Sequence, residues 1–501
     1  MNPVAVIYEG ARDRLDRPAL IDGTHTVSHG ELLALTDALA GDLFRRGLGR
    51  RRRVGLCAGN SWAHVVAYLA ILRAGAVWVP LNPRNGPGLN GELRRRAGLD
   101  LLLVDEDSRA QLDADAPVMD LEDWLALAAA RAPAPPIDDD PAADFAIKFT
   151  GGSTGAPKGV VQSRRSALAA LRSMQAFYGF DPSDVNLAVA PLTHGSSHYI
   201  LPVLAAGGAH VLLPRPDRAA ILAELKRRVT VSFMPPTLIY LLMEESAFGP
   251  DDFPRLRHLT WSAAPMPPAR IREAIQRFGP VLGGLYGQTE APMAISALSP
   301  AQAARPELQA CAGYPFPETP VRVLTADGAV TGIGEGEILV GGDLADTRYL
   351  DDPGATTAAR FDGWLKTGDL GRLEADGRLT ILGRSREMII SGGYNIYPAE
   401  VEAALGAHPA VREACAFGVD DPVWGERLEV AVAFDPALAD ADSLLDHVRR
   451  ALGPVRTPKC LHTVPALPRN PVGKVVRGAV RGLIYPASND RGLQDRVEVA
   501  R

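Results

Sequence analysis

Short apolar runs alternate with segments of helical periodicity along the chain as far as residue 290. The run Val54–Cys57 predicts a buried strand, and the apolar spacing after it predicts a helix for which Ser61 is a candidate cap. Glu31–Arg46 has the same helical spacing, and Leu101–Asp105 is a further apolar run. Strands that alternate with helices in this way favour an α/β fold with layered, largely parallel sheets.

The pattern changes after residue 310, where short apolar runs are joined by turn residues. Asp327-Gly328 and Asp376-Gly377 are dipeptides typical of tight hairpin turns. We therefore predict a β-rich subdomain after the layered part. Because 501 residues are too many for one ordinary hydrophobic core, at least two domains are expected.

Composition narrows the class of protein. Hydrophobic residues make up 47% of the chain and charged residues 22%, which is normal for a globular protein. The net charge of −6 argues against nucleic acid as a partner. Four scattered cysteines, no signal pattern and no long apolar run predict a reduced, cytoplasmic protein without a membrane span. Abundant Gly, Pro, Ala and Arg are typical of GC-rich bacterial genes.

The most informative stretch is a Gly/Ser/Thr loop between two predicted strands. Phe145–Phe149 leads into it and Val160-Val161 leads out. Its glycines allow backbone N–H groups to turn inward, and Lys158 adds a compact positive charge, which together suit a polyphosphate. The predicted phosphate contacts of this loop are Thr150, Gly151, Gly152, Ser153, Thr154, Gly155 and Lys158.

Other interpretations of this loop remain open at the level of sequence. It could be a flexible turn only. It is not a Walker loop, because Lys158 follows a proline and no Ser or Thr comes after it. Gly151-x-Ser153-x-Gly155 fits the nucleophile elbow of serine hydrolases, although an elbow needs a helix directly after the serine and a strand is predicted here.

The loop closely resembles the phosphate loop of the adenylate-forming superfamily, which includes acyl- and aryl-CoA synthetases, peptide-synthetase adenylation domains and luciferases. Other motifs of that family follow in order, so the chain is identified as a member, similar to fatty-acid, benzoate and coumarate CoA ligases. The matching segments are Ala188–Gly195, Trp261–Met266, Gly283–Glu290, Gly363–Leu370, Gly383–Glu387, Ser391–Glu400 and Pro468–Lys474.

The resemblance implies a role for each nucleotide-binding residue. Tyr286 would stack on adenine, Thr289 would reach the α-phosphate, and Asp369 would bind the ribose diol. Glu290, with Thr154, would hold Mg²⁺, a metal that prefers hard oxygen ligands. The remaining ATP contacts implied are Ala263, Ala264, Pro265, Gly287, Gln288, Arg384 and Lys474.

The implied acid pocket begins at His194, which would border and gate it. Family members that activate α-amino acids usually have Asp directly after this position, whereas this chain has Gly195. An ammonium without a partner would be costly to bury, which favours an aryl or aliphatic acid. Ser196, Ser197 and His198 could bind a ring substituent or cap the following helix. The predicted pocket residues are His194, Gly195, Ser197, His198, Gly283, Gly284 and Ala291, although the two adjacent glycines are also compatible with mere close packing.

The family pattern also predicts the domains. An N-terminal domain at 1–384 would bind ATP and acid, a hinge would lie at 385–387, a mobile C-terminal α+β domain would span 388–486, and 487–501 would form a flexible tail. Arg386 stands at the hinge pivot, where the family usually has Asp or Lys. The predicted thiol tunnel comprises Ser391, Gly392, Gly393 and Tyr394.

The predicted function is a two-step ligase that uses ATP, Mg²⁺ and coenzyme A. An acyl-adenylate would form with release of pyrophosphate, and a thiol would then displace AMP after a rotation of the small domain. The candidate catalytic residues are Lys474, Thr289, Glu290, Lys158 and His194. Transfer to a separate carrier protein or an amine remains an alternative, as do a serine hydrolase and a non-catalytic acid sensor.

Overall fold

The computed structural model describes residues 2–113, 118–126, 136–137, 139–150, 157–213, 217–245, 248–469 and 475–486. The chain divides into two compact units, residues 1–382 and 383–501. The phosphate-loop residues 151–155, the predicted catalytic Lys474 and the predicted tail at 487–501 lie outside the described residues.

The described part of the first unit contains a sheet of nine strands. Its six central strands, from Leu282 to Pro18 in spatial order, are parallel, and the strands at both edges pair antiparallel. In spatial order the strands are Tyr314–Pro315, Ser296–Leu298, Leu282–Tyr286, His258–Trp261, Val231–Met234, Val185–Ala188, Ala209–Leu212, Pro18–Asp22 and His25–Ser28.

A second sheet of seven described strands carries the two strands of the phosphate loop. These two pair antiparallel with each other, and the first of them pairs parallel with the strand Val77–Pro80. In spatial order the strands are Thr347–Tyr349, Lys158–Ser163, Asp144–Thr150, Val77–Pro80, Arg53–Cys57, Leu101–Val104 and Met119–Asp120.

The third sheet is the predicted β-rich subdomain. Gly328 and Gly377 have φ of 86° and 84°, as the predicted hairpin turns require. The six strands described there are Val321–Leu324, Val330–Thr331, Gly334–Val340, Arg360–Phe361, Trp364–Leu373 and Leu379–Arg384.

Helices cover the two larger sheets of this unit, and local capping explains where several begin. Ser61 accepts the backbone N–H of His64, which confirms the predicted cap, and Ser28 forms a capping box with Glu31. The described helices are Ala5–Ala11, His29–Arg45, Trp62–Arg73, Pro87–Ala97, Leu121–Ala126, Arg164–Tyr178, Ile200–Ala205, Arg218–Arg227, Pro236–Met243, Pro268–Phe278, Pro300–Ala303 and Pro353–Ala358.

The second unit is an α+β domain with its own apolar core. The long strands Val411–Asp421 and Gly425–Phe434 form its centre, joined by Ile389–Ser391, Tyr394–Ile396 and Cys460–Thr463. Its described helices are Pro398–Gly406, Ala441–Leu452 and Arg477–Ile484. The predicted fold class is therefore confirmed. In the described ranges of both units, every helix is too short or too polar to cross a bilayer.

Candidate active site

The two strands that flank the phosphate loop are held in register. Asp144–Thr150 and Lys158–Ser163 pair so that Thr150 lies opposite Lys158. The next helix begins only at Arg164, after the whole second strand. A nucleophile elbow has a helix directly after the serine; Ser153 lies outside the described residues, but the strand that begins at Lys158 argues against an elbow.

The lysine of the loop and the predicted metal ligand meet through a tyrosine that the sequence analysis missed. Lys158 Nζ lies 5.4 Å from the centre of the Tyr349 ring, and the Tyr349 hydroxyl donates to Glu290 Oε1 at 3.0 Å. Tyr349 belongs to the edge strand Thr347–Tyr349, which pairs with the strand of Lys158. Tyr349 thus contacts both Lys158 and the Glu290 carboxylate, whose oxygens are suitable ligands for Mg²⁺.

The turn that carries Thr289 and Glu290 is fixed from two sides by side chains. Gln162 Nε2 donates to the carbonyl oxygen of Thr289 at 2.8 Å, and Thr347 Oγ1 donates to that of Glu290 at 2.7 Å. Both donors come from the sheet that carries the phosphate loop. The backbone of the turn is therefore preorganised relative to Lys158, as phosphate chemistry requires.

Three of the predicted nucleotide contacts form one hydrogen-bonded group. Asp369 is buried, and its Oδ2 accepts from the Tyr286 hydroxyl at 2.6 Å and from Gln288 Nε2 at 2.5 Å. These bonds connect the strand Leu282–Tyr286 to the β-rich subdomain. The sequence motifs at 283–290 and 363–370 are therefore adjacent in space.

The predicted adenine turn follows the strand His258–Trp261, at the carboxyl end of the parallel sheet. Ala263 has φ of 71°, a left-handed conformation that is uncommon for a residue with a Cβ atom, and its side chain is exposed. Ala264 and the exposed Pro265 complete a small-residue surface, while Gly287 belongs to the turn after the next strand. Ligands of α/β sheets bind at this edge.

His194, the predicted gate of the acid pocket, is partly buried and carries a neutral ring. Burial, with the nearby charge of Lys148, lowers the pKa of His194 to about 4. Its neighbour Gly195 faces an aromatic wall, since a Cβ atom added there would lie 2.9 Å from the ring of Phe233. The described surroundings of Gly195 therefore include aromatic and apolar groups rather than a carboxylate.

Ser197 and His198 do not cap the next helix, so that alternative is wrong. The helix Ile200–Ala205 begins without a side-chain cap. Ser197 Oγ donates to the carbonyl oxygen of His194 at 2.7 Å and accepts from Lys148 Nζ at 3.0 Å. Lys148 is 7% exposed and was not predicted as a site residue.

The predicted pocket glycines pack closely against neighbouring groups. A Cβ atom at Gly283 would lie 3.0 Å from the carbonyl oxygen of Leu298, and one at Gly284 would lie 2.7 Å from the indole of Trp261. Ala291 is fully buried beside this strand. The close-packing alternative thus accounts for both glycines, and their contact with an acid stays a prediction.

In the second unit, the predicted tunnel residues form a hairpin. Ser391 is the last residue of the first strand and Tyr394 is the first residue of the second. The turn residues between them, Gly392 and Gly393, have φ of 58° and 82°. Such a turn favours glycine at both positions. Arg384 precedes the short 3₁₀ turn Ser385–Glu387, which contains Arg386. The tunnel and hinge roles of these residues stay predictions.

Comparison with known proteins agrees with this geometry. A profile of the AMP-binding enzyme family matches residues 7–350, and one of the AMP-binding enzyme C-terminal domain matches residues 400–474. The chain belongs to the AMP-binding enzyme family. The predicted membership of the adenylate-forming superfamily is thereby confirmed.

Individual members of the AMP-binding enzyme family resemble the chain over most of its length. A medium/long-chain-fatty-acid–CoA ligase of Mycobacterium tuberculosis is 34% identical over 77% of this chain and 70% of its own. Indoleacetate–CoA ligase of Aromatoleum aromaticum is 32% identical over 91% of this chain and 93% of its own. The structure of the amide bond synthetase McbA of Marinactinospora thermotolerans superposes with a TM-score of 0.88 at 29% identity. The superposition covers 96% of this chain and 99% of McbA. The predicted enzyme class, an AMP-forming acid–thiol ligase, agrees with the relatives named CoA ligases.

Proposed function

We propose that this enzyme joins a carboxylic acid to the thiol of coenzyme A in two steps, with ATP and coenzyme A as co-substrates and Mg²⁺ as the metal cofactor. A carboxylate oxygen attacks the α-phosphorus of ATP, and pyrophosphate leaves. The thiol sulfur then attacks the acyl carbon, and AMP leaves. The observation that carries this proposal is the convergence of Lys158, Tyr349 and Glu290 beside the fixed turn at Thr289.

Each residue of this group has a defined task in the first step. Lys158 neutralises the β- and γ-phosphates, and Thr289 contacts the α-phosphate. Glu290 would hold Mg²⁺, which would neutralise phosphate charge, and Tyr349 orients that carboxylate. Lys474 stabilises the charge that develops between the carboxylate and the α-phosphate. Such preorganised electrostatics dominate phosphoryl chemistry.

The acid is aryl or aliphatic rather than an α-amino acid. Gly195 brings no carboxylate to the pocket, and Phe233 stands where a side chain at this position would point. The charge of Lys148 acts on the adjacent His194, and in its protonated form Lys148 would repel an ammonium. An α-amino acid should therefore have a lower kcat/KM than its des-amino analogue.

The acceptor is coenzyme A, because the relatives named above include two CoA ligases. The similarity to McbA, an amide bond synthetase, favours an amine as the second candidate. A carrier protein is a third possibility within the same chemistry. All four cysteines are free, which agrees with a reduced, cytoplasmic location as part of this proposal.

Separate measurement of the two half-reactions tests the proposal. Lys474→Ala should slow acid-dependent ATP–pyrophosphate exchange by about 10²–10³-fold, as for the loss of one preorganised donor. It should spare thioester formation from a supplied acyl-adenylate. Gly393→Leu should have the opposite effect, because its side chain would obstruct the thiol tunnel.

Gly393→Ala is the matched control. It places an L-residue at the same positive φ as Gly393→Leu does, but without the bulk of leucine. Loss of thioester formation in Gly393→Ala as well would assign the effect to backbone strain. Equal loss of both half-reactions in both variants would contradict a rotating C-terminal domain. Absence of any acid-dependent exchange in the unmodified chain would instead favour an acid sensor.

A further inference from the structure

Lys148 is a buried ammonium without a carboxylate partner among the described residues. Its side chain lies on the strand that leads into the phosphate loop, yet it points into the protein and is 7% exposed. Desolvation is the single cause that lowers the pKa of Lys148, to about 7, and no described anion opposes it. Lysine is rarely buried unless it is paired, so this position needs an explanation.

The known partners of Lys148 leave one of its hydrogens for a ligand. Nζ donates to Ser197 Oγ at 3.0 Å and lies 3.4 Å from His198 Nε2. His198 Nδ1 is 3.2 Å from the carbonyl oxygen of Gly195, which fixes a neutral ring with its Nε2 lone pair towards Lys148. An ammonium has three N–H donors, and the described residues supply acceptors for two.

The ammonium lines a cavity that adjoins the proposed catalytic turn. The cavity has a free volume of about 20 Å³, and its polar wall includes Tyr68, Lys148, Gln162, Ser197 and His198. Gln162 is the same side chain that holds the Thr289 carbonyl oxygen, and Pro292 of the following segment closes the cavity. A ligand in this cavity would therefore lie next to the residues assigned to the α-phosphate and the metal.

Apolar groups form the rest of the wall. Phe145, Leu171 and Leu201 line the cavity, and the Trp78 ring lies with its centre 5.1 Å from Nζ. The aromatic face offsets part of the cost of the buried charge, but it provides no counter-ion.

We infer that Lys148, Ser197 and His198 form a binding site for an anionic substituent of the activated acid. The preferred substrate then carries two negative groups, the carboxylate that becomes adenylated and a second carboxylate or sulfonate that binds Lys148. This inference rests on the proposed function, because it places the acid beside Thr289. It narrows the substrate class from aryl or aliphatic acids in general to acids with a second negative charge.

A comparison of matched acids tests the inference. Each set has one skeleton that ends in a methyl, a carboxamide or a carboxylate group: butyrate, succinamate and succinate, with longer homologues, and 4-methylbenzoate, 4-carbamoylbenzoate and terephthalate. In at least one set we expect kcat/KM for pyrophosphate release to be about 10- to 100-fold higher for the dicarboxylate, the range of a hydrogen bond to a charged group. Lys148→Met should abolish this preference, so that the three analogues of a set differ little in kcat/KM.

Two further variants protect the test from a folding defect. Ser197→Ala removes one acceptor of Lys148 and should reduce the preference without abolishing it. Lys226→Met replaces an exposed lysine that pairs with Asp252, and it should leave the preference unchanged. A shift of the melting temperature with each acid, measured without ATP, reports binding independently of turnover.

The outcomes separate this inference from the proposed function. If Lys148→Met lowers turnover of all three analogues equally, or if no dicarboxylate is preferred or stabilises the protein more than its amide, the anion site is overturned while a ligase remains. If dicarboxylates stabilise the unmodified chain but not Lys148→Met, and no acid releases pyrophosphate, the anion site stands and the ligase fails.

Discussion

Two buried charges of this protein have opposite surroundings. In the second unit, Glu429 is 1% exposed, and its carboxylate accepts from Arg427 Nε at 2.5 Å, Tyr485 OH at 2.7 Å and His462 Nε2 at 2.8 Å. In the first unit, Lys148 is similarly buried but has a hydroxyl and an imidazole as partners and no described anion.

The pKa values express the same difference. Burial alone would raise the pKa of Glu429, but the three donors hold it below its ordinary value. Burial lowers the pKa of Lys148 to about 7, and no described carboxylate counteracts it. The fold supplies Glu429 with three donors, two of them on basic side chains, but it supplies Lys148 with no described anion. We take this difference as support for a ligand that pairs with Lys148.

Replacement of Glu429 should have the largest effect on stability. Glu429→Gln removes the charge shared by three donors and should lower the free energy of unfolding of the second unit by about 3 kcal/mol. Amide hydrogen exchange in Gly425–Phe434 and Cys460–Thr463 measures this locally. Because the folded-state pKa is depressed, the stabilisation is present above the unfolded pKa of about 4.3 and is lost as pH falls through the folded value.

Glu413→Gln is the control for this prediction. Glu413 pairs with Arg469 in the same unit, but both side chains are nearly 30% exposed, at 29% and 28%. Its replacement should cost less than about 1 kcal/mol. Equal losses of unfolding free energy in the two variants would mean that burial and multiple donors do not make Glu429 more stabilising than an exposed ion pair.

Replacement of Lys148 should change stability in the opposite sense. Without ligand at pH 6, Lys148→Met should raise the free energy of unfolding of the first unit by about 2 kcal/mol, since it removes an unpaired buried charge. Exchange of the amides in Asp144–Thr150 measures the change. A loss of stability would show that Trp78 and Ser197 fully compensate the charge, and the comparison would fail.

The pH dependence of that difference gives a second check. Between about pH 7 and 10 the unfolded chain retains a proton on Lys148 that the folded protein releases, so the stability of the unmodified chain rises with pH. The advantage of Lys148→Met should therefore shrink, by at most about 1.4 kcal/mol per pH unit. His194 and His198 face this ammonium, but their lowered pKa values keep both rings neutral over this range.

The smallest effect is expected at Glu290, a carboxylate with a single described side-chain donor. Tyr349→Phe removes that hydrogen bond and should raise the Mg²⁺ concentration needed for half-maximal pyrophosphate exchange by about fivefold, equivalent to about 1 kcal/mol. Tyr314→Phe serves as the control. An unchanged Mg²⁺ requirement in Tyr349→Phe would remove Tyr349 from the site.

Local patterns predicted the elements well but missed contacts between distant segments. The helix Trp62–Arg73 and its Ser61 cap follow from periodicity and residue type. Lys148 was missed because one polar residue in a short strand usually faces solvent, and its partner Ser197 is 49 positions away. Tyr349 is 59 positions from Glu290 and belongs to no motif. Its contact with Glu290 therefore became visible only in the structure, where its strand pairs with the strand of Lys158.

The strand Asp144–Thr150 has a thermodynamic consequence beyond its position in the sheet. Its residue 148 lines the cavity of the inferred anion site, and its residue 150 ends the strand before the predicted phosphate loop. A ligand that restrains either end leaves less disorder for the other ligand to remove, so the two should bind synergistically. Reciprocity then requires that a dianionic acid tightens ATP by the same factor by which ATP tightens the acid, whereas a neutral-tailed acid gives a smaller factor.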